Sequence, residues 1–308
     1  MGCQAWDEGR GPALQRSLDS GAILARRVCT RPRSYHGRVI PPSALPWSSA
    51  DPKRLAGIVG VLTDIDDTLT TEGAIPMGVV AAIAALRKAG LPTIAVTGRP
   101  MGWSEPIARA TPLAAVVAEN GGVALIHDGD DVRIEFVDAD DVRATNAAKL
   151  ARVAERIVAE VPGATLARDS AGRATDIAID HGEFAHLCQA QIDAVVALMR
   201  GAGMQATVSS IHVNGWFGTH TKLTGARWIV ARVLGRDLDA EHDRWLYVGD
   251  STNDEPMFAA FPLSVGVANI ADFADRLQRW PAYVTQFDRG RGFVEIAESL
   301  LAARSVTS

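Results

Sequence analysis

The feature that most constrains the fold of this chain is a short apolar run that ends in a cluster of acids. Residues 57–62 have the sequence Gly-Ile-Val-Gly-Val-Leu, and residues 64–69 have the sequence Asp-Ile-Asp-Asp-Thr-Leu. Burying several unpaired carboxylates costs more than one strand can return, so these acids need a cation or solvent. A strand with acids at its carboxyl end is typical of parallel α/β sheets, which bind ligands beyond that edge. An exposed acidic loop or a helix N-cap would give a similar composition.

Three later segments extend this arrangement in a fixed order. One apolar run ends in Thr97, Lys222 opens a stretch with helical spacing, and a last apolar run precedes Asp250 and Asp254. Together the segments supply acids, a hydroxyl and a lysine, which are the groups that phosphoryl transfer requires. Mg²⁺ suits such a set, because it binds one or two carboxylates together with water and substrate phosphate. The pattern therefore favours a Mg²⁺-dependent phosphoryl-transfer site.

In this order the segments resemble the four motifs of the haloacid dehalogenase-like (HAD) hydrolase superfamily, over roughly residues 57–304. The resemblance is to subfamily IIB, the Cof-like, sucrose-phosphate and mannosyl-3-phosphoglycerate phosphatase type. It implies an α/β fold, with a doubly wound parallel sheet as the HAD core and an inserted α+β cap domain of the C2 type. In that subfamily the cap closes over the core and determines which leaving group is accepted.

The resemblance also implies a role for each motif residue. Asp64 would be the nucleophile that forms an aspartyl-phosphate, and Asp66 would be the general acid and base. Thr97 and Lys222 would bind the phosphoryl oxygens. The residues implied for Mg²⁺ are the Asp64 carboxylate, the Asp66 carbonyl and Asp250, with Asn253 and Asp254 in support. Asp67 departs from the Gly that is commoner in the family, although members that act on sugar phosphates also carry Asp there.

Candidates for substrate binding lie outside these motifs. His212, Asn214 and Trp216 alternate with apolar residues, so they share one face if the segment is a regular strand. A strand edge that faces solvent would give the same alternation. Arg99 follows the Thr97 motif closely and is an equally open candidate. The Glu-Asn-Gly-Gly turn at residues 119–122 is interpreted first as structural, because turn chemistry alone explains Asn-Gly.

Hydrophobic patterning divides the chain into a core and an insertion. Strand and helix alternate from residue 57, and residues 128–213 interrupt that alternation with an α+β segment, so we expect a core over 57–127 and 214–304 and a cap over 128–213. The predicted helices cover residues 76–88, 147–159, 184–199, 254–260, 271–279 and 293–303. The predicted strands after residue 97 cover 113–117, 175–179, 206–210, 211–213, 245–248, 263–267 and 282–285.

Residues 1–50 differ from the rest of the chain. They contain seven Arg, no Lys and only three acids, with scattered Pro and Gly and no sustained periodicity. This composition predicts a disordered leader. No uninterrupted apolar segment follows a basic start, which argues against a secretory signal. An organellar transit peptide, the composition of a high-GC gene and a start codon assigned too far upstream all remain open.

Composition limits the partners and the compartment. A net charge of −5 disfavours nucleic acid as a partner, since the phosphate backbone selects basic surfaces. No apolar run approaches the ~20 residues of a membrane helix, so no membrane interaction is expected. Cys3, Cys29 and Cys188 are few and far apart, which favours a reducing, cytoplasmic location. Nothing in the sequence indicates an oligomeric state.

The sequence thus predicts a Mg²⁺-dependent phosphomonoester hydrolase that acts on a small phosphorylated metabolite, above all a sugar phosphate. A phosphosugar mutase would share every catalytic residue. A non-catalytic receiver-like module would also bind Mg²⁺ at strand ends, but it would need neither Asp66 nor a long cap. A dinucleotide-binding oxidoreductase and a P-loop kinase are disfavoured, because their glycine-rich motifs do not follow the first strand.

Overall fold

The computed structural model describes residues 41, 43–129, 131–209 and 211–305. Its strands are β1 (Leu45–Pro46), β2 (Gly60–Thr63), β3 (Thr93–Val96), β4 (Ala115–Ala118), β5 (Val123–Asp128), β6 (Asp131–Phe136), β7 (Thr165–Leu166), β8 (Asp176–Asp180), β9 (Gln205–Val208), β10 (His212–Trp216), β11 (Trp245–Gly249), β12 (Leu263–Gly266) and β13 (Tyr283–Val284). Its helices are α1 (Pro52–Ala56), α2 (Met77–Lys88), α3 (Met101–Ala110), α4 (Asp140–Glu160), α5 (Gln189–Gly201), α6 (Lys222–Leu234), α7 (Glu255–Ala260) and α8 (Arg289–Ser305). None of these helices is long and apolar enough to cross a membrane.

The larger of two sheets has nine strands in the order β1-β13-β12-β11-β2-β3-β4-β5-β6. The first seven pair in parallel, and β5 and β6 are added antiparallel at one edge. The central strands β2, β3 and β11 are buried along their whole length. Near-continuous apolar strands of this kind are expected where helices cover both faces of a parallel sheet.

Successive residues of the central strands pack into two separate apolar clusters, one on each face of the sheet. Val61 belongs to the cluster formed with α1, α2, α3 and α8, and its neighbour Leu62 belongs to the cluster formed with α6 and α7. Phe293 of α8 and Ile229 of α6 are each fully buried in these clusters. The predicted doubly wound α/β core is therefore confirmed, with an antiparallel hairpin at its edge.

A second sheet forms the inserted unit, which we call the cap (residues 140–216). Its four antiparallel strands have the order β7-β8-β10-β9, and α4 and α5 pack on them through a separate apolar cluster. The cap begins later than the predicted residue 128, because β6 also extends the core sheet by pairing with β5, and Val132 of β6 is buried in the core. It also ends at Trp216 rather than at residue 213.

Most predicted helices are present, and one is wrong. The helix at 76–88 is confirmed as α2, with Pro76 at its N-cap and basic residues in its last turn. No α-helix covers 271–279, where Ala268–Phe273 forms 3₁₀ turns and Leu277 follows in a further turn. Ile270, Phe273 and Leu277 are all buried, since successive i→i+3 turns place apolar residues on one side as a helix does.

The leader predicted over residues 1–50 is corrected at its end; residues 1–40 and 42 lie outside the described residues. β1 pairs with β13 at the edge of the core sheet. Trp47 is buried, donates its indole N–H to Ser299 Oγ at 3.0 Å and packs edge-on against Tyr283. A single Trp among polar residues gives no periodic signal, so patterning could not separate this segment from a leader.

Candidate active site

The predicted catalytic residues converge at the carboxyl ends of three neighbouring strands. Asp64 follows β2, Thr97 follows β3 and Asp250 follows β11, and these strands are adjacent in the order β11-β2-β3. Lys222 is the first residue of α6 and points its ammonium group toward Asp64. The fold therefore unites residues that are up to 186 positions apart in sequence, as parallel sheets do at this edge.

Lys222 is held between two buried carboxylates. Its Nζ donates hydrogen bonds of 2.8 Å to Asp64 Oδ1 and of 2.8 Å to Asp254 Oδ1. The other contacts of Asp254 are the Tyr247 hydroxyl, which donates to Oδ1 at 2.5 Å, and the backbone N–H groups of Asp250 and Ser251, which donate to Oδ2. Burial by itself lowers the pKa of Lys222, but the charges of Asp254 and Asp64 outweigh burial and raise it. Asp254 therefore fixes a permanently charged lysine beside Asp64.

The acids at this edge carry more negative charge than Lys222 offsets. One carboxylate oxygen from each of Asp64, Asp250 and Asp254 lies within 4.8 Å of the other two, and all three residues are buried. Burial raises the pKa of Asp64 to about 7, with a further increase from the charge of Asp254 and an opposing effect of Lys222. Burial and then the charge of Asp254 raise the pKa of Asp250 well above its usual range. Clustered carboxylates with unfavourable ionisation fit a divalent cation, and an all-oxygen donor set fits a hard one.

Asn269 is a functional candidate that sequence reasoning missed. Its Nδ2 donates to Asp250 Oδ2 at 3.1 Å and to the Asp67 carbonyl at 3.0 Å, and its Oδ1 accepts the Arg289 N–H at 2.9 Å. The residue lies just after β12, the neighbour of β11 in the sheet, and is buried. The signal available in the sequence was an amide side chain in the apolar stretch that follows β12. Asn269 therefore contacts a predicted metal ligand and is not among the described residues that line the small cleft between core and cap.

Asp67 takes a structural position in this arrangement. Its backbone is left-handed, with φ of 54°, and its carboxylate accepts a hydrogen bond of 2.8 Å from Arg289 Nε. Its backbone N–H is bonded to Thr70 Oγ1. The Asp67 side chain thus pairs with Arg289, the first residue of α8.

Asp66 forms an ion pair with Arg99 at the mouth of the site. Arg99 Nε lies 3.0 and 2.9 Å from the two carboxylate oxygens of Asp66, and the guanidinium group lies over the Trp103 ring at 4.7 Å from its centroid. The backbone N–H of Arg99 also donates to Thr97 Oγ1 at 3.0 Å. Arg99 therefore connects the predicted acid–base residue to the predicted phosphate-binding hydroxyl.

The cap closes this site. A small cleft has core residues on one side, among them Asp64, Asp66, Thr97 and Arg99, together with Asn253, which accepts a hydrogen bond from Ser251 Oγ. The cap side of the cleft is formed by Ser209, Ile211, His212 and Asn214. In this arrangement the cleft has room for about one water molecule at most. The structure therefore has the cap lowered onto the predicted catalytic residues.

The predicted substrate residues separate into two groups. Arg99, His212 and Asn214 line the cleft, and Asn214 Nδ2 also donates to the Gly98 carbonyl at 3.2 Å across the core–cap boundary. Trp216 is not among the described residues that line the cleft. Its indole N–H donates to the His220 carbonyl at 2.8 Å and its ring stacks on that imidazole. Trp216 therefore packs where the cap returns to the core.

The turn at residues 119–122 connects the core to the cap. The Glu119 carboxylate is fully buried and accepts hydrogen bonds from the backbone N–H groups of Met101, Ala174 and Thr175. Glu119 and Asn120 both have positive φ, and a Cβ at Gly121 would collide with the Thr221 carbonyl. These contacts agree with the structural interpretation of the turn.

Comparison with known proteins supports the family. Residues 61–156 match a family model described as haloacid dehalogenase-like hydrolase. Solved structures with the same fold include Thermoplasma acidophilum protein 0175, which is 17% identical with a TM-score of 0.62, over 79% of this chain and 98% of that chain. No curated protein sequence matches the chain.

Two further structures share the fold. The sucrose-phosphatase of Synechocystis, solved with sucrose and phosphate, is 13% identical with a TM-score of 0.57, over 79% of this chain and 97% of that chain. A haloacid dehalogenase-like hydrolase from Bacteroides thetaiotaomicron is 13% identical with a TM-score of 0.53, over 78% of this chain and 98% of that chain. At these identities the likeness concerns the fold. The matched family model agrees with the predicted resemblance to haloacid dehalogenase-like hydrolases, and the neighbours confirm the predicted fold.

Proposed function

We propose that this HAD-like hydrolase is a Mg²⁺-dependent phosphatase that cleaves a small phosphate ester, above all a sugar phosphate, through an aspartyl-phosphate. The observation that carries the proposal is the position of Lys222, bonded to Asp64 and Asp254 at 2.8 Å each, beside a third buried carboxylate, Asp250. A buried lysine that only neutralised these acids would leave negative charge in excess. A divalent cation bound beside Lys222 would complete the charge balance, and the two cationic groups could then face a phosphate.

The Asp64 carboxylate is the proposed nucleophile. One of its oxygens attacks phosphorus, the bond from phosphorus to the ester oxygen breaks, and the electron pair stays on the leaving oxygen. Asp66 in its protonated form gives that oxygen a proton and leaves it as an alcohol. A water molecule then attacks the aspartyl-phosphate and loses a proton to Asp66, which regenerates free Asp64 and releases phosphate.

The other residues of the site bind and orient the phosphoryl group. Lys222 donates to phosphoryl oxygens from the position that Asp254 fixes, and Thr97 lines the cleft together with Asp64, to which Lys222 is bonded. The Asp64 and Asp250 carboxylates and the Asp66 carbonyl would hold Mg²⁺, with Asn253 and Asp254 in support. Bound there, Mg²⁺ would supply charge neutralisation for the phosphate and the nucleophile.

The test is phosphate release from a panel of sugar phosphates with and without Mg²⁺, with Asp64→Asn and Asp128→Asn assayed in parallel. Asp128 is an exposed acid at the end of β5, so its variant controls for the loss of one carboxylate. We expect Mg²⁺-dependent turnover in the parent and in Asp128→Asn, and a loss of at least about 10³-fold in Asp64→Asn. Full activity of Asp64→Asn would contradict the proposed mechanism.

The same experiment separates the alternatives. A phosphosugar mutase returns the phosphoryl group to sugar, so product analysis would show an isomeric sugar phosphate in place of free phosphate. A receiver-like binding module would release no phosphate from any ester. The position of Asp66 in a cleft that the cap covers favours hydrolysis over the receiver alternative.

A further inference from the structure

Carboxylates surround Arg99, the arginine that lines the cleft. Arg99 is 8% exposed and is paired with Asp66 of the core at 2.9 Å. From the cap, Asp169 Oδ2 and Glu183 Oε2 approach its Nη1 at 3.2 and 3.4 Å. One guanidinium group thus faces three carboxylates. Arg99 is the only cationic residue among the described residues that line this cleft.

A second arginine nearby does not restore the balance. Arg173 of the cap is paired with Asp176 at 2.7 Å and with Asp169 at 3.3 Å, and it donates to the Gly98 carbonyl. Its side chain is almost completely buried, so it is not free to meet a ligand. Arg168 is exposed and stacks on the Phe184 ring. The excess negative charge around Arg99 therefore persists.

His212 presents an unsatisfied hydrogen-bonding group to this cleft. The residue is 2% exposed and lines the cleft, yet its Nε2 has no hydrogen-bond partner among the described residues. Glu183 Oε2 lies 3.2 Å from that nitrogen but without hydrogen-bond geometry. Burial lowers the pKa of His212 to about 4, so the imidazole is neutral near pH 7 and adds no positive charge. An unsatisfied buried imidazole suits a hydroxyl as its partner.

We propose that Asp169 and Glu183 make the cleft selective for leaving groups that carry hydroxyl groups and no second negative charge. The inference rests on the proposed phosphatase activity and specifies its substrate class. Phosphorylated sugars and polyols would be accepted. Sugar bisphosphates, phosphorylated sugar acids and phosphoglycerate derivatives would be rejected.

The contacts show how a polyol would enter. The cleft is nearly full, so the cap must lift, and the Glu183 contacts of 3.4 Å are the longest that Arg99 makes. Hydroxyl groups can then accept from Arg99, donate to Glu183 and bond to His212. Asp169 cannot withdraw in the same way, because Arg173 holds it on the other side.

A carboxylate in the same place would meet uncompensated negative charge. Even if it displaced Glu183 from Arg99, that guanidinium would remain shared with Asp66 and Asp169. Like charges at about 6–8 Å in a partly desolvated cleft disfavour binding by about tenfold for each unbalanced charge. The preference for uncharged over acidic leaving groups should therefore decrease with each cap carboxylate that is neutralised.

The experiment compares substrates that differ only in this charge. Glucitol 6-phosphate and 6-phosphogluconate differ by a hydroxymethyl group against a carboxylate, as do glycerol 3-phosphate and 3-phosphoglycerate. We expect kcat/KM to favour the alcohol over the acid by at least about tenfold in the parent protein. Higher ionic strength should reduce the preference, since salt screens charge.

Charge-neutralising variants identify the residues responsible. Glu183→Gln and Asp169→Asn preserve shape, and each should lower the preference for the alcohol by about three- to tenfold. Glu155→Gln removes one charge from an exposed position of α4 and should leave the preference unchanged. A preference that persists in both cleft variants would overturn the proposal, as would equal use of alcohol and acid by the parent.

Two further measurements keep this proposal separate from the proposed function. Turnover of p-nitrophenyl phosphate reports the phosphatase chemistry with a leaving group that carries no test charge. Binding of the four esters to Asp64→Asn, measured by calorimetry, reports discrimination without turnover. If the parent turned over no ester while Asp64→Asn still bound the alcohols in preference to the acids, only the proposed phosphatase activity would be contradicted. Turnover of p-nitrophenyl phosphate without any alcohol preference would contradict only the selectivity.

Discussion

At the scale of single residues, the site depends on one buried cation. Lys222 is 5% exposed and is bonded to two carboxylates, which are themselves buried. Removing one member of a buried ion pair leaves the others uncompensated in a medium that solvates them poorly. Replacing Lys222 therefore changes both function and stability. Adding Mg²⁺ to the variant distinguishes the two effects.

Lys222→Met should lower the free energy of unfolding by about 3–5 kcal/mol in the absence of Mg²⁺. Added Mg²⁺ should recover part of that loss, because a second cation can offset Asp64 and Asp250, whereas phosphate turnover should not recover. Urea denaturation with and without Mg²⁺ measures the effect. Lys88→Met, at an exposed position of α2, is the control and should change stability by less than about 0.5 kcal/mol. An equally stable Lys222→Met protein would contradict this account.

Asn269 should act through Asp250 and not through the substrate. Asn269→Ala removes the hydrogen bond of 3.1 Å that orients the Asp250 carboxylate. Removing such a supporting contact typically weakens metal affinity by about 10–100-fold. The Mg²⁺ concentration for half-maximal activity should rise accordingly, while kcat at saturating Mg²⁺ stays close to that of the parent. An unchanged Mg²⁺ requirement would show that Asp250 is oriented without Asn269.

The predicted site residues that the structure brings together are those that stand in local motifs. Asp64, Asp66, Thr97 and Lys222 each lie at a predicted strand or helix end, where the fold class alone places chemistry. Asn269 was not predicted, because its role depends on the pairing of β11 with β12, which local patterning does not specify. Asp169 and Glu183 were not predicted, because their proposed role in selectivity depends on how the cap contacts the core.

At the scale of elements, the short segment of β1 and the Trp47 that follows it contributes to the stability of the core. Trp47→Ala would remove a buried indole, its hydrogen bond to Ser299 and its contact with Tyr283. The expected loss is about 3–5 kcal/mol in the free energy of unfolding, measured by urea denaturation. Leu45→Ala in the same segment is the control, because Leu45 is 49% exposed and should cost less than about 1 kcal/mol. Equal effects of the two substitutions would contradict the packing of Trp47.

Elements were predictable where the apolar period was long and had clear ends. α2 has Pro at its start and Arg87 and Lys88 in its last turn, and its predicted bounds agree to one residue. Only β6 of the β5–β6 hairpin was assigned to the cap, because its membership of the core sheet depends on its pairing with β5. The turns of Ala268–Phe273 resembled a helix, because both forms place apolar residues three and four apart.

At the scale of the whole molecule, the closed cap buries a histidine that the unfolded chain exposes. His212 has a pKa of about 4 in the folded protein, below its ordinary 6.5, because of burial. Between these two values the unfolded chain binds a proton that the folded protein does not. The stability that this group contributes is therefore present above about pH 6.5 and is lost as the pH falls toward 4.

Comparison with His212→Gln isolates this contribution from the other titrating groups. The stability difference, parent minus variant, should fall by about 2 kcal/mol between pH 7 and pH 5, since each pH unit corresponds to about 1.4 kcal/mol. Urea midpoints at several pH values measure it, with His186→Gln as a control at an exposed position. A difference that stays constant or grows on acidification would contradict the burial of a neutral His212 beneath the cap.

The measurement that tests the central claim most directly is the capture of the covalent intermediate. p-Nitrophenolate leaves without protonation, so Asp66→Asn should still form an aspartyl-phosphate from p-nitrophenyl phosphate and Mg²⁺ but should hydrolyse it slowly. Acid quenching followed by peptide mass analysis should find a hydroxylamine-sensitive phosphoryl group on Asp64. A phosphoryl group on another residue would contradict the account. So would steady release of p-nitrophenol by the parent with no phosphoryl group bound to the Asp66→Asn protein.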